Sequence, residues 1–169
     1  MSNSTYILDD KLLASNGSRF LNYILDLAAF VLILILIGFV LGIFIGLFGM
    51  TGISLWISSM GDLGWNCVII VISIVYYTLM EGFFGRSLGK FITGTIVVDE
   101  NGEKPDFGTI FKRSLCRLIP FDAFSFLGSS GRGWHDSISD TYVVNKKALD
   151  EEVRMFHEFK LIGVQDTND

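Results

Sequence analysis

The chain has 169 residues, of which half are hydrophobic and only 18% are charged. Ordinary soluble domains are about 25% charged, so this composition favours a single membrane-associated domain over a soluble one. The net charge of −5 at pH 7 argues against nucleic acid as a partner.

The first predicted element is a long apolar helix from about residue 19 to residue 49. Ser18, in a loop of small polar residues, is its predicted N-cap. Residues 27–49 contain no ionisable group. At about 1.5 Å per residue they extend about 34 Å, enough to cross a hydrocarbon core of about 30 Å. The acidic N-terminal segment and the length of the apolar run argue against a secretory signal, so we expect this helix to remain in the mature protein.

Two charged side chains, Arg19 and Asp26, stand at the start of this helix. Seven residues are almost two turns, so the two side chains share a face but lie about 10 Å apart along the axis, too far to pair directly. A carboxylate inside a membrane helix costs about 2.5 to 3.5 kcal/mol and normally has a partner. Each of the two residues is therefore predicted to find its partner elsewhere in the chain.

Three glycines, Gly38, Gly42 and Gly46, form a ladder on the same helix. Small residues at this spacing let two helix backbones approach closely. At about 100° per residue the ladder faces largely away from Asp26. The ladder predicts contact with a second copy of the chain or a membrane-protein partner, or else packing within one protomer against the segment at 107–128.

A second spanning helix is predicted from about 63 to 85, where charged residues are absent until the last turns. The connecting loop at 50–64 has no Lys or Arg, whereas 86–117 has six and 129–160 has five. The positive-inside rule therefore predicts the loop outside the cell and both termini in the cytoplasm.

A polar stripe of Ser73, Tyr77 and Glu81 runs along this otherwise apolar helix, because the three residues are spaced four apart. We expect the stripe to face the charged side of the first helix. This packing predicts a contact between Arg19 and Glu81. It also predicts a contact of Asp26 with Tyr77 or Ser73.

A third hydrophobic stretch, at 107–128, has three basic residues near its start and Pro120 in its middle. Strand-like runs flank it at about 94–98 and 141–144, and a turn and a return follow the first run. If the two runs pair, they lie on one side of the membrane, and the stretch between them is a broken helix in the cytoplasmic interface. A third span is the alternative.

The predicted fold class is an α-helical membrane protein with two transmembrane helices, an interfacial or third helix and a small β-sheet. We predict a cytoplasmic segment at 1–18, a membrane domain at 19–145 and a cytoplasmic tail at 146–169. The tail ends in the polar run QDTND. Before that run it is predicted to be an amphipathic helix with apolar residues at helical spacing, namely Leu149, Val153, Phe156 and Phe159.

The cytoplasmic side carries further candidate site residues. Arg113 and Arg117 share one helical face, and Asp136 beside two arginines would form a charge-assisted clamp between its loop and the interfacial helix. In a second interpretation, His135 exchanges a proton near neutral pH and Asp26 binds a cation or proton, so that the two residues form the ends of a short relay.

The residue pattern predicts no enzyme, no cofactor and no metal site. His157, the other histidine, lies in the tail, so the ligand count is too low for a metal. The sequence has no nucleophile elbow, no phosphate loop and no close pair of carboxylates. Cys67 and Cys116 are predicted to be small core residues.

Three ordered blocks resemble the RDD family of small prokaryotic membrane proteins: SRFLNYILD, GRSLGKFITGTIVVDENGEKPDFGTIFKRSLCRLIP and GWHDSISDTYVV. The resemblance covers about residues 16–145. It maps the one Arg and two Asp of the family name to Arg19, Asp26 and Asp136. The second block departs from the usual GxTxGK, because Arg86 and Ser87 stand here, so no role of a Thr is carried over.

Two functions follow from the residues and the resemblance. The resemblance implies a multi-pass protein of the prokaryotic inner membrane, with transport as the usual assignment and cation/proton antiport proposed for some members. Two spans cannot enclose a solute path, so such a transporter requires an oligomer or a partner. Its predicted polar cluster would exchange monovalent cations and protons at Asp26, surrounded by Arg19, Tyr77, Glu81 and His135. The alternative is a membrane scaffold or accessory subunit in which the Arg and Asp residues are structural, and whose basic segment meets anionic lipid or a protein partner.

Overall fold

The computed structural model describes residues 6–125 and 132–165 and is mostly helical. One 3₁₀ turn, eight helices and two strands follow in chain order within these residues: Asp10–Leu12, α1 Asn16–Phe48, α2 Thr51–Ser59, α3 Asp62–Phe84, α4 Leu88–Thr93, β1 Thr95–Val98, α5 Phe107–Cys116, α6 Asp122–Ser125, α7 Trp134–Ile138, β2 Tyr142–Asn145 and α8 Lys146–Gln165.

Helix α1 confirms the long apolar helix predicted first, but it begins earlier than expected. The prediction that Ser18 is the N-cap is wrong, because the hydroxyl oxygen of Ser15 accepts a hydrogen bond from the backbone N–H of Ser18 at 3.2 Å. A cap three residues upstream adds almost one helical turn. At the other end Gly49 adopts a left-handed conformation (φ 63°) and closes the helix.

Helix α3 confirms the second predicted apolar helix within one residue at each end. The segment between the two long helices, predicted as a loop, is instead a short helix, α2. Helix α1 and the segment Asp62–Thr93 are each long and apolar enough to cross a membrane. The buried side chains of α1 are Arg19, Asn22 and Asp26, while its apolar side chains face outward. This is the reverse of a helix that packs in water.

The sheet forms as predicted, with β1 and β2 antiparallel and Val97 opposite Val143. A bridge from Leu13 to Val144 joins the segment before α1 to the same sheet. A small core of Leu12, Val98, Val144 and Leu149 covers it. The predicted return after the first strand does not form a strand: the described residues 99–103 make a turn in which Asp99 accepts hydrogen bonds from two backbone N–H groups.

The third hydrophobic stretch is broken, as predicted, over the part that the structure describes. Helix α5 ends at Cys116, and the short helix α6 begins after Pro120. Proline supplies no N–H, and it disfavours helical geometry at the residue before it. Phe121 then takes a left-handed conformation with φ 68°, so the chain turns here. Residues 126–131, which include Gly131, lie outside the described chain.

The tail forms the predicted helix α8, which packs on its own domain. Leu149 is buried in the sheet core, and the ring of Phe156 contacts that of Tyr6 edge-on. Val153 also packs against this core. The side chain of Phe159 and the residues after Gln165 lie outside the described part.

Helices α1 and α4 approach closely at Gly89. A Cβ added to Gly89 would lie 2.5 Å from the backbone oxygen of Asn22 and 3.0 Å from Oδ1 of Asp26. Gly89 can therefore accept a methyl group only if the two helices separate.

We expect Gly89→Ala to destabilise the protein by about 1 to 3 kcal/mol, because it overpacks this contact. The measurement is thermal unfolding of the purified protein in detergent. Gly52→Ala is the control: a Cβ added at Gly52 meets no atom within 4 Å. The close approach would be refuted if Gly89→Ala melted together with the wild type and the control.

Candidate functional site

The candidate site is a buried cluster of charged side chains at the end of the two long helices. Helices α1, α3, α4, α5, α6 and α7 each contribute to it. Its members are almost completely buried, and all but Arg117 are less than a tenth exposed: Arg19, Asp26, Glu81, Lys90, Arg113, Arg117, Asp122, His135 and Asp136.

Arg19 binds Asp136, which lies 117 residues further along the chain. Nη1 of Arg19 donates to Oδ2 of Asp136 at 2.5 Å, and Nε donates to the backbone oxygen of Ala14 at 3.2 Å. The predicted contact of Arg19 with Glu81 is therefore not the one formed. The sheet places α7 beside the start of α1, so Asp136 is the carboxylate that Arg19 contacts.

Asp136 is fully buried between two arginines, as the predicted clamp required, but the second arginine is Arg19 instead of Arg117. Nη1 of Arg113 donates to Oδ1 of Asp136 and also to Thr141. We call Arg19, Asp136 and Arg113 the clasp. Burial disfavours the charged carboxylate, but Arg113, His135 and Arg19 outweigh burial and hold the pKa of Asp136 well below its usual range.

Glu81 is the second fully buried carboxylate and binds three cations. Oε1 accepts from Lys90 Nζ at 2.7 Å and from Arg117 Nη2 at 2.8 Å, and Oε2 accepts from Arg113 Nε at 2.9 Å. Because Arg113 binds both Glu81 and Asp136, it joins the second carboxylate to the clasp. Arg117 also lies over the ring of Tyr77, 4.1 Å from its centroid. Although burial opposes it, the charge of Glu81 raises the pKa of Arg117, which therefore remains a cation.

Asp26 is held by neutral donors. Ser87 donates to Oδ2 at 2.5 Å, and the backbone N–H of Gly89 donates to Oδ1 at 2.7 Å. The hydroxyl of Tyr76 donates at 3.4 Å. Of the two predicted partners, Tyr77 packs against Arg117 instead, and Ser73 is not among the described donors to Asp26. Neighbouring residues on a helix differ by about 100° in direction, so the rotation of α3 about its own axis decides which tyrosine meets Asp26.

His135 packs between two carboxylates. Its Nδ1 lies 2.6 Å from Oδ2 of Asp122, and because a carboxylate only accepts, Nδ1 carries the proton and donates. Burial, followed by the nearby Arg117 and Arg113, lowers the pKa of His135 from 6.5 to about 4, although Asp136 and Asp122 oppose the shift. The ring of His135 is therefore neutral at pH 7. Burial raises the pKa of Asp122, but the hydrogen bonds from His135, and the charge of His135 once it is protonated at low pH, lower it further than burial raises it.

The formal charges of the cluster balance. Four cations face four carboxylates, and His135 is neutral. A balanced set of buried charges avoids the large cost of an unpaired buried ion. The cations are Arg19, Lys90, Arg113 and Arg117, and the anions are Asp26, Glu81, Asp122 and Asp136.

A cavity of about 320 Å³ lies against this cluster, between α1, α3 and α5. The predicted residues Asp26, Ser73 and Tyr77 line it, together with His135 and Arg117. Glu81 and Asp136 do not line the cavity and stand behind the arginines. The site thus has an enclosed charged wall and one accessible space.

Four residues of the site were not predicted: Tyr76, Ser87, Lys90 and Asp122. A signal for two of them existed in the GRSLGK block, in which Ser87 supplies a hydroxyl to Asp26 and Lys90 a cation to Glu81. The glycine ladder of α1, by contrast, has no neighbour among the described residues: a Cβ added at any of its three positions meets no atom within 4 Å. The predicted packing of the ladder against the segment at 107–128 is therefore not formed in the described part of that segment.

Comparison with known proteins gives one finding on the family. A family model described as the RDD family matches residues 13–140, more than half of the chain. The matched range contains Arg19, Asp26 and Asp136. No curated protein and no solved structure matches the chain.

Lowering the pH from 7 to about 4.5 should destabilise the fold by about 2 kcal/mol through His135. The unfolded chain binds a proton at this residue near pH 6.5, but the folded protein does so only near pH 4. The unfolded state therefore binds more protons in this window, and stability falls as the pH falls. Thermal unfolding in detergent across this range measures the effect.

Two variants isolate this contribution. His135→Asn keeps a donor near Asp122 and removes the titration, so its stability should change much less across the window. His157→Asn removes an exposed histidine of the tail and should keep the wild-type slope. A wild-type protein whose stability is flat or rises as the pH falls would show that His135 is charged in the folded state.

Proposed function

Because the chain belongs to the RDD family, we propose that it is a multi-pass protein of the prokaryotic cytoplasmic membrane, in which α1 and α3 cross the bilayer. The outward-facing apolar side chains of both helices support this proposal. The sheet, α5 and the clasp all lie at the end where α1 begins and α3 finishes, so one side of the bilayer carries them. The positive-inside rule supports the cytoplasm as that side.

In this proposal the Arg and Asp residues are structural, and the protein is a membrane scaffold or accessory subunit. One observation carries it: Asp136 is completely buried and binds Arg19 of α1 and Arg113 of α5. These bonds hold α5 and α7 in a fixed orientation relative to the membrane helix α1. Asp26 makes a comparable tie, because it joins α1 to the segment that follows α3 through Ser87 and Gly89.

The basic segment at 86–117 contributes less to the surface than its composition suggests. Lys90, Arg113 and Arg117 bind Glu81 inside the protein. Lys112 is exposed and is available for anionic lipid or a protein partner.

A partner for α1 belongs to the same proposal. The glycine ladder leaves room for the backbone of another helix, and small residues at this spacing favour close helix contacts. We therefore place a second copy of the chain, or the helix of a membrane-protein partner, on this face.

Exchange of monovalent cations for protons at Asp26 is the second candidate function. One observation favours it, because Asp26 and Ser73 line the cavity. The surroundings of Asp26 oppose it: Ser87, Gly89 and Tyr76 all donate to its carboxylate, whereas a bound cation needs acceptors. Four cationic side chains also line the same cavity.

Cysteine labelling tests the placement in the membrane. In a background without Cys67 and Cys116, a membrane-impermeant maleimide should label Ser58→Cys in intact cells, because Ser58 lies on the proposed outer helix α2. The same reagent should label Lys147→Cys only after the cells are permeabilised. Both positions are exposed, so burial does not account for a missing label. External labelling of Lys147→Cys would contradict the proposed topology.

Proton flux separates the two functions. The scaffold proposal predicts that folded wild-type protein in proteoliposomes with an entrapped pH dye moves no protons when Na⁺, K⁺ or Li⁺ is added. The exchange function predicts a flux that Asp26→Asn abolishes and that the exposed control Asp150→Asn keeps. A flux with this pattern would overturn the scaffold proposal.

A further inference from the structure

The cavity beside the clasp has two chemically different halves. One half consists of charged and polar side chains, among them Arg113, Arg117 and Lys90. The other half consists of apolar side chains from α1 and α3, namely Leu27, Phe30, Ile69 and Ile70. A volume of about 320 Å³ lies at the lower end of the range for small-molecule sites. A ligand that matches this cavity is therefore amphiphilic.

Two of the arginines in the polar half have an unpaired hydrogen-bond donor. Nη2 of Arg113 and Nε of Arg117 are buried, and among the described residues neither has a hydrogen-bond partner. Both arginines line the cavity. A buried cationic donor without an acceptor costs free energy that a bound oxyanion would recover.

The charge of the cavity wall points to the same class of ligand. Among the described residues, four cations but two carboxylates line the cavity, and the carboxylates are Asp26 and Asp122. Glu81 and Asp136 compensate the cations from behind, but their oxygens do not line the space. An anion is therefore attracted to this wall.

The apolar half opens on the outward-facing surface of the long helices. Leu27 is 46% exposed, Ile69 39% and Ile70 40%. These side chains belong to the surface that we place in contact with lipid. An apolar chain attached to the anion could thus lie against them and continue into the bilayer.

We infer that the cavity binds an oxyanion carried on an apolar chain, such as the headgroup of an anionic lipid. The oxyanion accepts hydrogen bonds from Arg113 and Arg117, and the first part of the chain lies along Leu27, Ile69 and Ile70. The inference rests on the proposed placement of α1 and α3 in the membrane. It adds a ligand site to the scaffold and requires no transport.

Lipid retention tests the inference directly. Purified protein in a neutral detergent is incubated with equal amounts of phosphatidylglycerol and phosphatidylcholine, and the bound lipid is measured by native mass spectrometry. We expect one phosphatidylglycerol per chain to be retained in preference to phosphatidylcholine. Thermal unfolding in the same detergent should show stabilisation by the anionic lipid alone.

Three variants locate the site. Arg117→Gln removes one cationic donor and should weaken retention about tenfold, as expected for one charge-assisted hydrogen bond. Ser73→Phe fills the cavity without changing its charge and should abolish retention. Arg154→Gln removes an exposed arginine of α8, remote from the cavity, and should retain lipid like the wild type. Circular dichroism and size exclusion confirm that each variant is folded.

The outcomes distinguish a lipid headgroup from a soluble oxyanion. They also distinguish a failure of the inference from a failure of the proposed function. Equal retention of both lipids, or wild-type retention by folded Arg117→Gln and Ser73→Phe, would overturn the inference. Displacement of the lipid by inorganic phosphate, with equal stabilisation by phosphate alone, would overturn the apolar chain and assign the cavity to a soluble oxyanion. Retention is measured in detergent and the topology by labelling in cells, so a failure of the inference is distinguished from a failure of the proposed membrane placement on which it rests.

Discussion

The bond of Asp136 to two arginines is the interaction on which the remaining structure depends. Asp136 is fully buried, and it binds Arg19 at the start of α1 and Arg113 on α5. Arg113 extends the network to Glu81 of α3, so a short chain of ion pairs connects four separate helices. The sheet supports the same arrangement. The segment before α1 forms a bridge to β2, and β2 itself follows α7 and pairs with β1.

The stability of this network depends on the balance of its charges more than on the energy of any single ion pair. An ion pair out of water gains little net free energy, since each ion loses its hydration, but removal of one partner costs about 3 to 5 kcal/mol. Such a network selects one arrangement of the helices and penalises all others. This suits a protein whose long helices are apolar over most of their surface and therefore supply little packing specificity of their own. Among the described cations of the cluster, Nη2 of Arg113 and Nε of Arg117 are the buried nitrogens without a hydrogen-bond partner, and both residues line the cavity.

The long helices, the strands and the break after α5 could be predicted from the sequence because each rests on a local pattern, whereas the short helices α2, α4 and α7 were not predicted. The apolar runs determined α1 and α3, the β-branched runs determined β1 and β2, and Pro120 determined the break after α5. The bonding partners of the charged side chains could not be predicted, because they depend on the rotation of each helix about its axis and on contacts between residues distant in the sequence. The choice of Tyr76 over Tyr77 reflects a rotation of about 100° or less. That Arg19 meets Asp136 instead of Glu81 depends on where the sheet places α7, and no spacing between residues encodes this. The cavity, which lies between helices, leaves no local pattern at all.

A double-mutant cycle on Arg19 and Asp136 tests the structural role of the clasp most directly. The free energies of unfolding of Arg19→Ala, Asp136→Ala and the double variant are compared with that of the wild type in mixed micelles. The account predicts that each single change is strongly destabilising and that the double variant loses less than the sum, with a coupling of about 1 to 3 kcal/mol. Losses that add to within about 0.5 kcal/mol would mean that the two residues act independently and would contradict the account.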